Sequence, residues 1–488
     1  MNQADLSKVD LQTMAEQVMR EHGFDPEFPP SAGEQLREIQ ARSPLGDAPS
    51  DSARDLRHLL WSSIDNDTSR DLDQIEVAER LENGDIKVLI GIADVDALVS
   101  KASPIDEHAA KETTTVYTGV RNFPMLPEEL STGASSLLEQ QDRPAMVIEF
   151  VVESAGTANR GTVYPARVRN QAQLTYNAVG PWLEGAPAPE KVAASKELED
   201  QLRLQNQAAQ ALKKQRILNG ALNIDSHELR PILLHQQVVD LAKQEKNLAT
   251  DLIEDFMIAG NGVVARLLND VSSLRRIVRT PERWDRIVEL AATHGERLPR
   301  EPDSKALNDF LLKRKQADPD HFADLSLAVI KLIGPGQYVL ERPGDPEQGH
   351  FGLAVEDYTH STAPNRRFAD VVTQRLLKAH IAGRPGPYSD DELSSIAKNC
   401  TLKEDAARKV EREMSKRIAA VAMSKRIGET FDAIVTGVTP HGTFVRVLNP
   451  HIEGLLAQGY QGVDVGDKLR VKLTRTDIER GYIDFVRA

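Results

Sequence analysis

Four aspartates, Asp65, Asp67, Asp71 and Asp73, fall within nine residues of one stretch that runs from Ser63 to Gln74. If the chain from Asp71 to Asp73 is extended, those two side chains share a face. A turn through Asn66–Arg70 would return Asp65 to the same place. Clustered carboxylates repel one another, and burying them together is costly unless cations neutralise them. Hard oxygen ligands suit Mg²⁺ or Mn²⁺. The competing reading is a solvated acidic loop in which Asn66 and Asp67 make Asx turns. An EF-hand loop fits poorly, because its sixth position needs glycine and counting from Asp65 that place is Arg70. The other chemistry-bearing group is Arg366-Arg367 after Ala363-Pro364-Asn365. Two guanidinium forks there suit phosphate oxygens, or make an ordinary surface turn.

The elements that would position these residues follow from periodicity. Asp85–Asp94 and Ala145–Glu153 are apolar and β-branched, which predicts buried strands. Leu248–Leu268 predicts a helix with Leu252, Phe256, Ala259, Val263 and Val264 on its apolar side, and Pro189–Arg216 predicts a Gln-rich amphipathic helix. Residues 280–335 read as mostly helical. Val410, Met414, Ile418 and Val421 form one face of a helix over 390–426 that also carries many Lys and Arg residues. Residues 1–60 read as short helices broken at Pro29-Pro30, either a helix-turn-helix module or a helical cap. After Gly428 the pattern turns all-β, with strands at Phe431–Val438, Gly442–Leu448, Lys468–Arg475 and Tyr482–Arg487. That spacing suggests a small closed barrel. The fold class is therefore α+β, divided as 1–60, 61–426 and 427–488.

The length of 488 residues allows about three domains. The single cysteine, Cys400, can form neither an intramolecular disulfide nor a zinc cluster. The N-terminus has no basic, apolar secretory pattern, and no run reaches the ~18 apolar residues of a membrane span. A cytoplasmic protein is the expectation. The net charge of −14 argues against a coater of duplex nucleic acid, so any RNA path must be lined locally with basic groups.

The tail resembles an S1 domain, an RNA-binding member of the five-stranded OB barrels. The resemblance rests on GETFDAIVTGVTPHGTFVRV, EGLL, DVGDKLRVKL and GYIDF across residues 428–488. It implies an RNA face of Phe431, His441, Phe444 and Arg446, holding a single strand by stacking and by charge. Phe431 and Phe444 could equally fill the barrel.

Upstream, IDNDTSRDLDQ followed by IGIADVDALV resembles the catalytic domain of the ribonuclease II/ribonuclease R family. TTTVYTGVRNFPMLPEELS, LTYNAV, LIEDFMIAGN and HFGLAVEDYTHSTAPNRRFADVVTQRLL follow in family order over residues 61–380. The resemblance implies a 3′→5′ exoribonuclease that releases nucleoside 5′-monophosphates from single-stranded RNA. It implies catalytic roles for Asp65, Asp71, Asp73 and Arg366, with Mg²⁺ (or Mn²⁺) held by Asp65, Asp71, Asp73 and Gln74. Tyr117 and Tyr176 would stack on bases, Glu254 would bind the terminal ribose, and Arg367 would face the RNA backbone or pair with Asp370. Family likeness favours a monomer.

Three departures qualify that picture. The family's fourth aspartate is Gln74 here, which offers a carbonyl oxygen but no charge, and Asp67 is a candidate to replace it. A third clamp aromatic is absent, since Gly220-Ala221-Leu222-Asn223-Ile224 is aliphatic. Only 64 residues precede Asp65, too few for the family's two cold-shock barrels. The alternative function is an RNA-binding protein of the same fold that Gln74 has weakened as an enzyme.

Overall fold

The computed structural model of the chain describes residues 10–41, 53–224, 228–234, 237–244, 246–319, 321–346 and 348–488. Residues 1–9 and 42–52 of the expected N-terminal unit lie outside the described residues. In chain order the first elements are helices α1 (Leu11–Glu21) and α2 (Pro30–Gln40), then strands β1 (Arg54–Asp55), β2 (Trp61–Asp65), β3 (Gln74–Arg80) and β4 (Ile86–Ala93). Helix α3 (Pro104–Glu112), the short strands β5 (Val116–Tyr117) and β6 (Asn122–Phe123), and the long strands β7 (Asp142–Val152) and β8 (Ala158–Thr175) follow. Next are α4 (Tyr176–Leu183), α5 (Glu190–Ala193), α6 (Lys196–Leu218), β9 (Glu228–Leu234), β10 (Gln237–Gln244), α7 (Leu248–Leu267) and β11 (Ser273–Ile277). Helices α8 (Trp284–Thr293), α9 (Ser304–Ala317) and α10 (Phe322–Ile333), strand β12 (Gln337–Glu341), and helices α11 (Phe368–Ile381) and α12 (Asp390–Ser424) complete the large domain. Strands β13 (Thr430–Thr439), β14 (Gly442–Val447), β15 (Glu453–Gln458), β16 (Lys468–Asp477) and β17 (Tyr482–Arg487) close the tail.

The central sheet has the order β1-β8-β2-β3-β4-β7. The C-terminal part of β8 runs parallel to β2, while its N-terminal part pairs antiparallel with β7. One strand thus bonds to both flanks of the sheet. Side chains alternate along each strand. On β4, Val88, Ile90 and Ile92 enter the main core beneath α4, α6, α7 and α11, while Leu89 and Ala93 join Trp61, Ile75 and Val147 on the opposite face. Strand β8 has the same alternation but little apolar signal. Its buried set mixes Val163, Tyr164, Val168 and Leu174 with Ala166, Asn170 and Ala172, and Pro165 interrupts it, so no continuous apolar pattern marks it in the sequence.

Helix α12 is the spine. A capping box of Ser389 and Glu392 starts it, and at 35 residues it spans roughly 50 Å. Leu393, Ala397 and Cys400 lie in the main core, and Val410 and Met414 pack on Ala15, Val18 and Met19 of α1. Ala420 and Met423 plug the end of the tail barrel. Helix α2 sits elsewhere, with Gln35 bonded to Ser103 and Ile105 at the start of α3. The two N-terminal helices therefore dock on different parts of the body.

The tail is a closed five-stranded barrel of order β13-β14-β15-β17-β16. The four expected strands are present, and β15 is the fifth. The α+β class and the barrel both stand.

Helix α4 begins at Tyr176 and crosses α7 at Gly180. A Cβ there would lie 2.2 Å from the Asn247 side chain, which caps α7 and donates to the Tyr176 carbonyl at 3.1 Å. Alanine is the better helix former by about 1 kcal/mol, but overpacking costs about 1–3 kcal/mol. Gly180→Ala should therefore lower the urea midpoint of the large domain. An unchanged or higher midpoint would show that Asn247 yields freely.

Candidate active site

The aspartate segment is fixed from several sides. Strand β2 delivers Asp65 at its last position, opposite Thr175 of β8. Asp65 Oδ1 accepts from the Asn66 amide at 2.6 Å and from the Ser69 hydroxyl at 2.7 Å, which closes the turn. Ser136 then pins the return, accepting from the Leu72 amide at 2.9 Å and donating to the Arg70 carbonyl at 2.7 Å. The Ala93 amide holds the Asp73 carbonyl as β3 begins. Asp67 faces outward and accepts from Asn177. It does not replace the charge missing at position 74, because the turn that brings Asp65 inward sends Asp67 to the surface.

Arg366 arrives from the far end of the domain. The segment Thr113–Tyr117 runs beside Arg366–Phe368, with the Thr115 amide on the Arg366 carbonyl and the Phe368 amide on the Thr113 carbonyl. This lacing aims Arg366 at Asp73. The Asp73 carboxylate accepts from the Asn365 amide at 2.9 Å and from Arg366 Nε at 3.3 Å. The Tyr117 hydroxyl donates to Asp71 at 3.3 Å. Asp73 is 2% exposed, whereas the Arg366 side chain is 47% exposed. The arginine thus stands on a buried acid with its fork toward solvent, a placement suited to an incoming phosphate.

The electrostatics follow from burial. Desolvation raises the Asp73 pKa to about 7, against the pull of Arg366 and the Asn365 amide, while Asp71 and Asp370 push it further up. Asp71 is raised by burial and by Asp65, and Arg366 opposes the shift. Tyr176 follows Thr175 directly and stands half-buried. Burial raises its hydroxyl pKa first, then the charges of Asp65 and Glu76.

Glu76 is the acid that the sequence reading missed. It lies on β3 and is fully buried, and its pKa is raised well above the ordinary value by burial and by Asp65. The available signal was an acidic residue inside the apolar run QIEVA, with the same parity as Gln74.

The other expected residues divide. Tyr117, Tyr176, Asp65, Asp71, Asp73 and Arg366 come together. Arg367 makes a two-point pair with the buried Asp370 at 2.8 Å and 2.8 Å, so it is tied into the fold rather than turned to an RNA backbone. Glu254 of α7 pairs with Lys246, which precedes that helix, at 2.8 Å and feels Lys213 and Arg216 of α6. Leu222 and Ile224 pack on the cluster of α8, α9 and α10. Phe431 is 6% exposed and meets Phe485 edge-on within the barrel core, so it offers no open face to a base. Arg446 is clamped to Asp324 of α10 at 2.5 Å and 2.9 Å, which docks the barrel on the large domain instead of contacting RNA. Phe444 remains on the outer side of β14, half-buried, and His441 is exposed. His360 Nδ1 shares a 2.7 Å hydrogen bond with the Tyr338 hydroxyl, and His350 Nδ1 accepts from the Leu353 amide.

The donor chemistry of the site, carboxylate and amide oxygens only, fits a hard divalent cation. Among the described residues, no three His, Cys, Asp or Glu side chains stand close enough to form a ready-made cage. Asp73 is turned to Arg366 and Asn365, and Asp65 to its own turn.

Between the ordinary carboxyl value of 3.8 and about 7, folded Asp73 keeps a proton that the unfolded chain releases. The folded state binds more protons across that window, so the stability contributed by this group falls as pH rises through it. In EDTA, the stability difference between Asp73→Asn and the unaltered chain should shift in favour of the variant from pH 4.5 to pH 7.5, by up to about 3 kcal/mol. Equal differences at both pH values would refute a protonated Asp73.

Comparison with known proteins places this geometry. The RNB domain family matches residues 53–383, and the RNase II-type exonuclease C-terminal S1 domain matches residues 429–488. Ribonuclease R of Thermotoga maritima is 30% identical, over 94% of this chain and 68% of its own length. Ribonuclease R of Escherichia coli is 29% identical, over 88% of this chain but only 57% of its own. The solved apo form of Mycoplasma genitalium RNase R superposes with a TM-score of 0.86 at 22% identity, covering 98% of this chain and 78% of that one. At that identity it shows the fold alone. The central sheet and the terminal barrel thus sit in a known frame, and the chain belongs to the RNB-domain family of ribonuclease II and ribonuclease R, with an RNase II-type S1 domain at its C-terminal end.

Proposed function

We propose that the chain is a 3′→5′ exoribonuclease that hydrolyses single-stranded RNA to nucleoside 5′-monophosphates. One observation carries this reading: Arg366 rests on Asp73 beside the Asp71–Tyr117 pair, although almost 300 residues separate the two segments. A guanidinium fork that faces solvent from a buried carboxylate is placed to grip a phosphate oxygen as charge builds on it. Tyr117, 39% exposed, offers a ring next to that position, and Tyr176 lines the other side of Asp65. Rings of this kind hold bases without regard to sequence, at about 1–3 kcal/mol each.

A bound Mg²⁺ or Mn²⁺ would supply Lewis-acid activation of water and neutralise the leaving oxygen. Asp65, Asp71 and the Gln74 carbonyl are the residues that would hold it. The chain's own part is to orient the phosphate with Arg366, to keep Asp73 and Arg366 in register through Asn365, and to stack the terminal base. No helix among the described residues is long and apolar enough to cross a membrane. The barrel, docked through Arg446 and capped by α12, keeps the outer side of β14, with Phe444, for RNA.

A weakened, RNA-binding relative of the same fold is the second reading, and Gln74 favours it, because it removes one negative charge from the cluster. A 5′-labelled single-stranded RNA with Mg²⁺ separates the two. The first reading gives a ladder that shrinks from the 3′ end and disappears in Asp73→Asn. The second gives binding with no shortening. Arg366→Ala should lower the rate by about 10²–10³-fold, and an unchanged rate would remove Arg366 from the chemistry. Gln74→Asp should lower the Mg²⁺ concentration needed for half-maximal activity, and no change would exclude position 74 as a ligand.

A further inference from the structure

Glu76 is 0% exposed, and neither carboxylate oxygen has a hydrogen-bond partner among the described residues. An ionised carboxylate buried without a partner is among the costliest arrangements in a protein. A neutral carboxylic acid is little better, because its hydroxyl must still donate. The neighbours do not supply a partner. Ser62 stands directly across the ladder from Glu76, fully buried, and its hydroxyl is also unpartnered. Gln205 of α6 spends its amide on the Glu76 backbone carbonyl at 3.3 Å and leaves its own side-chain oxygen unpartnered and buried. The two carboxylate oxygens of Glu76, the Ser62 hydroxyl and the Gln205 side-chain oxygen are thus all buried in this part of the sheet with no hydrogen-bond partner among the described residues.

That point adjoins the proposed active site. Gln74 and Glu76 are two residues apart on β3 and share a face. Asp65 ends the strand next to them, and Tyr176 is close enough to both Asp65 and Glu76 to feel their charges. Both hydrogen bonds to Asp65 fall on Oδ1. We propose that Glu76 supplies the carboxylate that Gln74 lacks, and that it joins Asp65 in holding a divalent cation beneath Tyr176. The side chain of Glu is one methylene longer than that of Asp, which shortens the gap left by moving the charge two positions along the strand. Asp65, Glu76 and the Gln74 side-chain oxygen then give this cation two carboxylates and one amide oxygen, with Asp71 at its edge and water completing the shell, in keeping with the few protein ligands that Mg²⁺ takes. It also agrees with the lack of a three-acid cage among the described residues.

This inference rests on the nuclease reading, and binding rather than turnover tests it. Chelator-stripped whole chain is titrated with Mn²⁺, and free Mn²⁺ is followed by electron paramagnetic resonance. Glu76→Gln keeps size and hydrogen-bonding capacity but removes the charge. It should weaken Mn²⁺ binding by about tenfold or more, with Gln74→Asp/Glu76→Gln regaining most of the loss. If Glu76→Gln binds Mn²⁺ like the unaltered chain, Glu76 is a buried polar residue only and the inference is overturned, while the nuclease reading stands. If the unaltered chain binds no Mn²⁺ and leaves RNA intact, both fall together. If Glu76→Gln alone does not fold, the double variant decides. Binding near the unaltered level supports the transfer of charge, and loss of binding overturns it.

Discussion

The contact between Arg366 and Asp73 is the constraint around which the large domain is arranged. A carboxyl at 2% exposure is tolerated only because a backbone amide and a guanidinium meet it from a segment almost 300 residues away. Much of the surrounding structure keeps those two partners in place. Ser136 fixes the loop before Asp73, the Thr113–Tyr117 segment laces the backbone of Arg366, and Asp370 ties down Arg367 so that one arginine of the pair points outward. The same lacing sets Tyr117 over Asp71. Binding surface and acid cluster are therefore a single mechanical unit, in which a shift of the loop before α11 would move both.

Local charge decides what the net charge of −14 leaves open. Much of the chain's positive charge is committed internally. Arg408 and Arg417 pair with Glu404 and Glu413 four residues back along α12, Arg426 pairs with Glu429 just past its end, and Arg276 reaches Glu404 from β11. Arg446 serves as a dock for the terminal barrel. Part of the positive charge of the 390–426 stretch is thus spent within the chain, and Arg366 stands out as a guanidinium with a buried partner on one side and water on the other.

Position 74 holds an amide where the family resemblance implies a carboxylate, and the same strand carries a buried acid two residues on. Strand parity makes positions 74, 76 and 78 equivalent in direction, and of these Ala78 lies in the core while Glu76 lies beside Asp65. The cost of keeping Glu76 buried falls on the folded state, and the orphaned oxygens of Ser62 and Gln205 around it mark where that cost is concentrated. An ordinary core would have placed a valine there.

Several features were legible in the residues themselves. Buried strands at β4 and β7, the long helix α7, the spine α12 and the terminal barrel follow from periodicity, because each has a continuous apolar face whose partner need not be known. The aspartate turn and the Ala363–Arg367 segment carried the family resemblance through short-range order of residue types. Strand β8 is harder to read because Ala166, Asn170 and Ala172 interrupt its buried Val163, Val168 and Leu174, and Pro165 and several Arg and Gln residues break the apolar run. The fates of individual side chains were decided in three dimensions. Phe431 and Phe444 alternate with their neighbours in similar ways, yet only closure of the barrel tells which faces Phe485. Arg446 and Arg366 carry the same guanidinium, and what separates them is the element opposite: Asp324 of α10 in one case, the buried Asp73 in the other. Sequence fixes which groups are available and how they repeat along an element. Which of them meet depends on contacts between distant segments, and those exist only once the chain has packed.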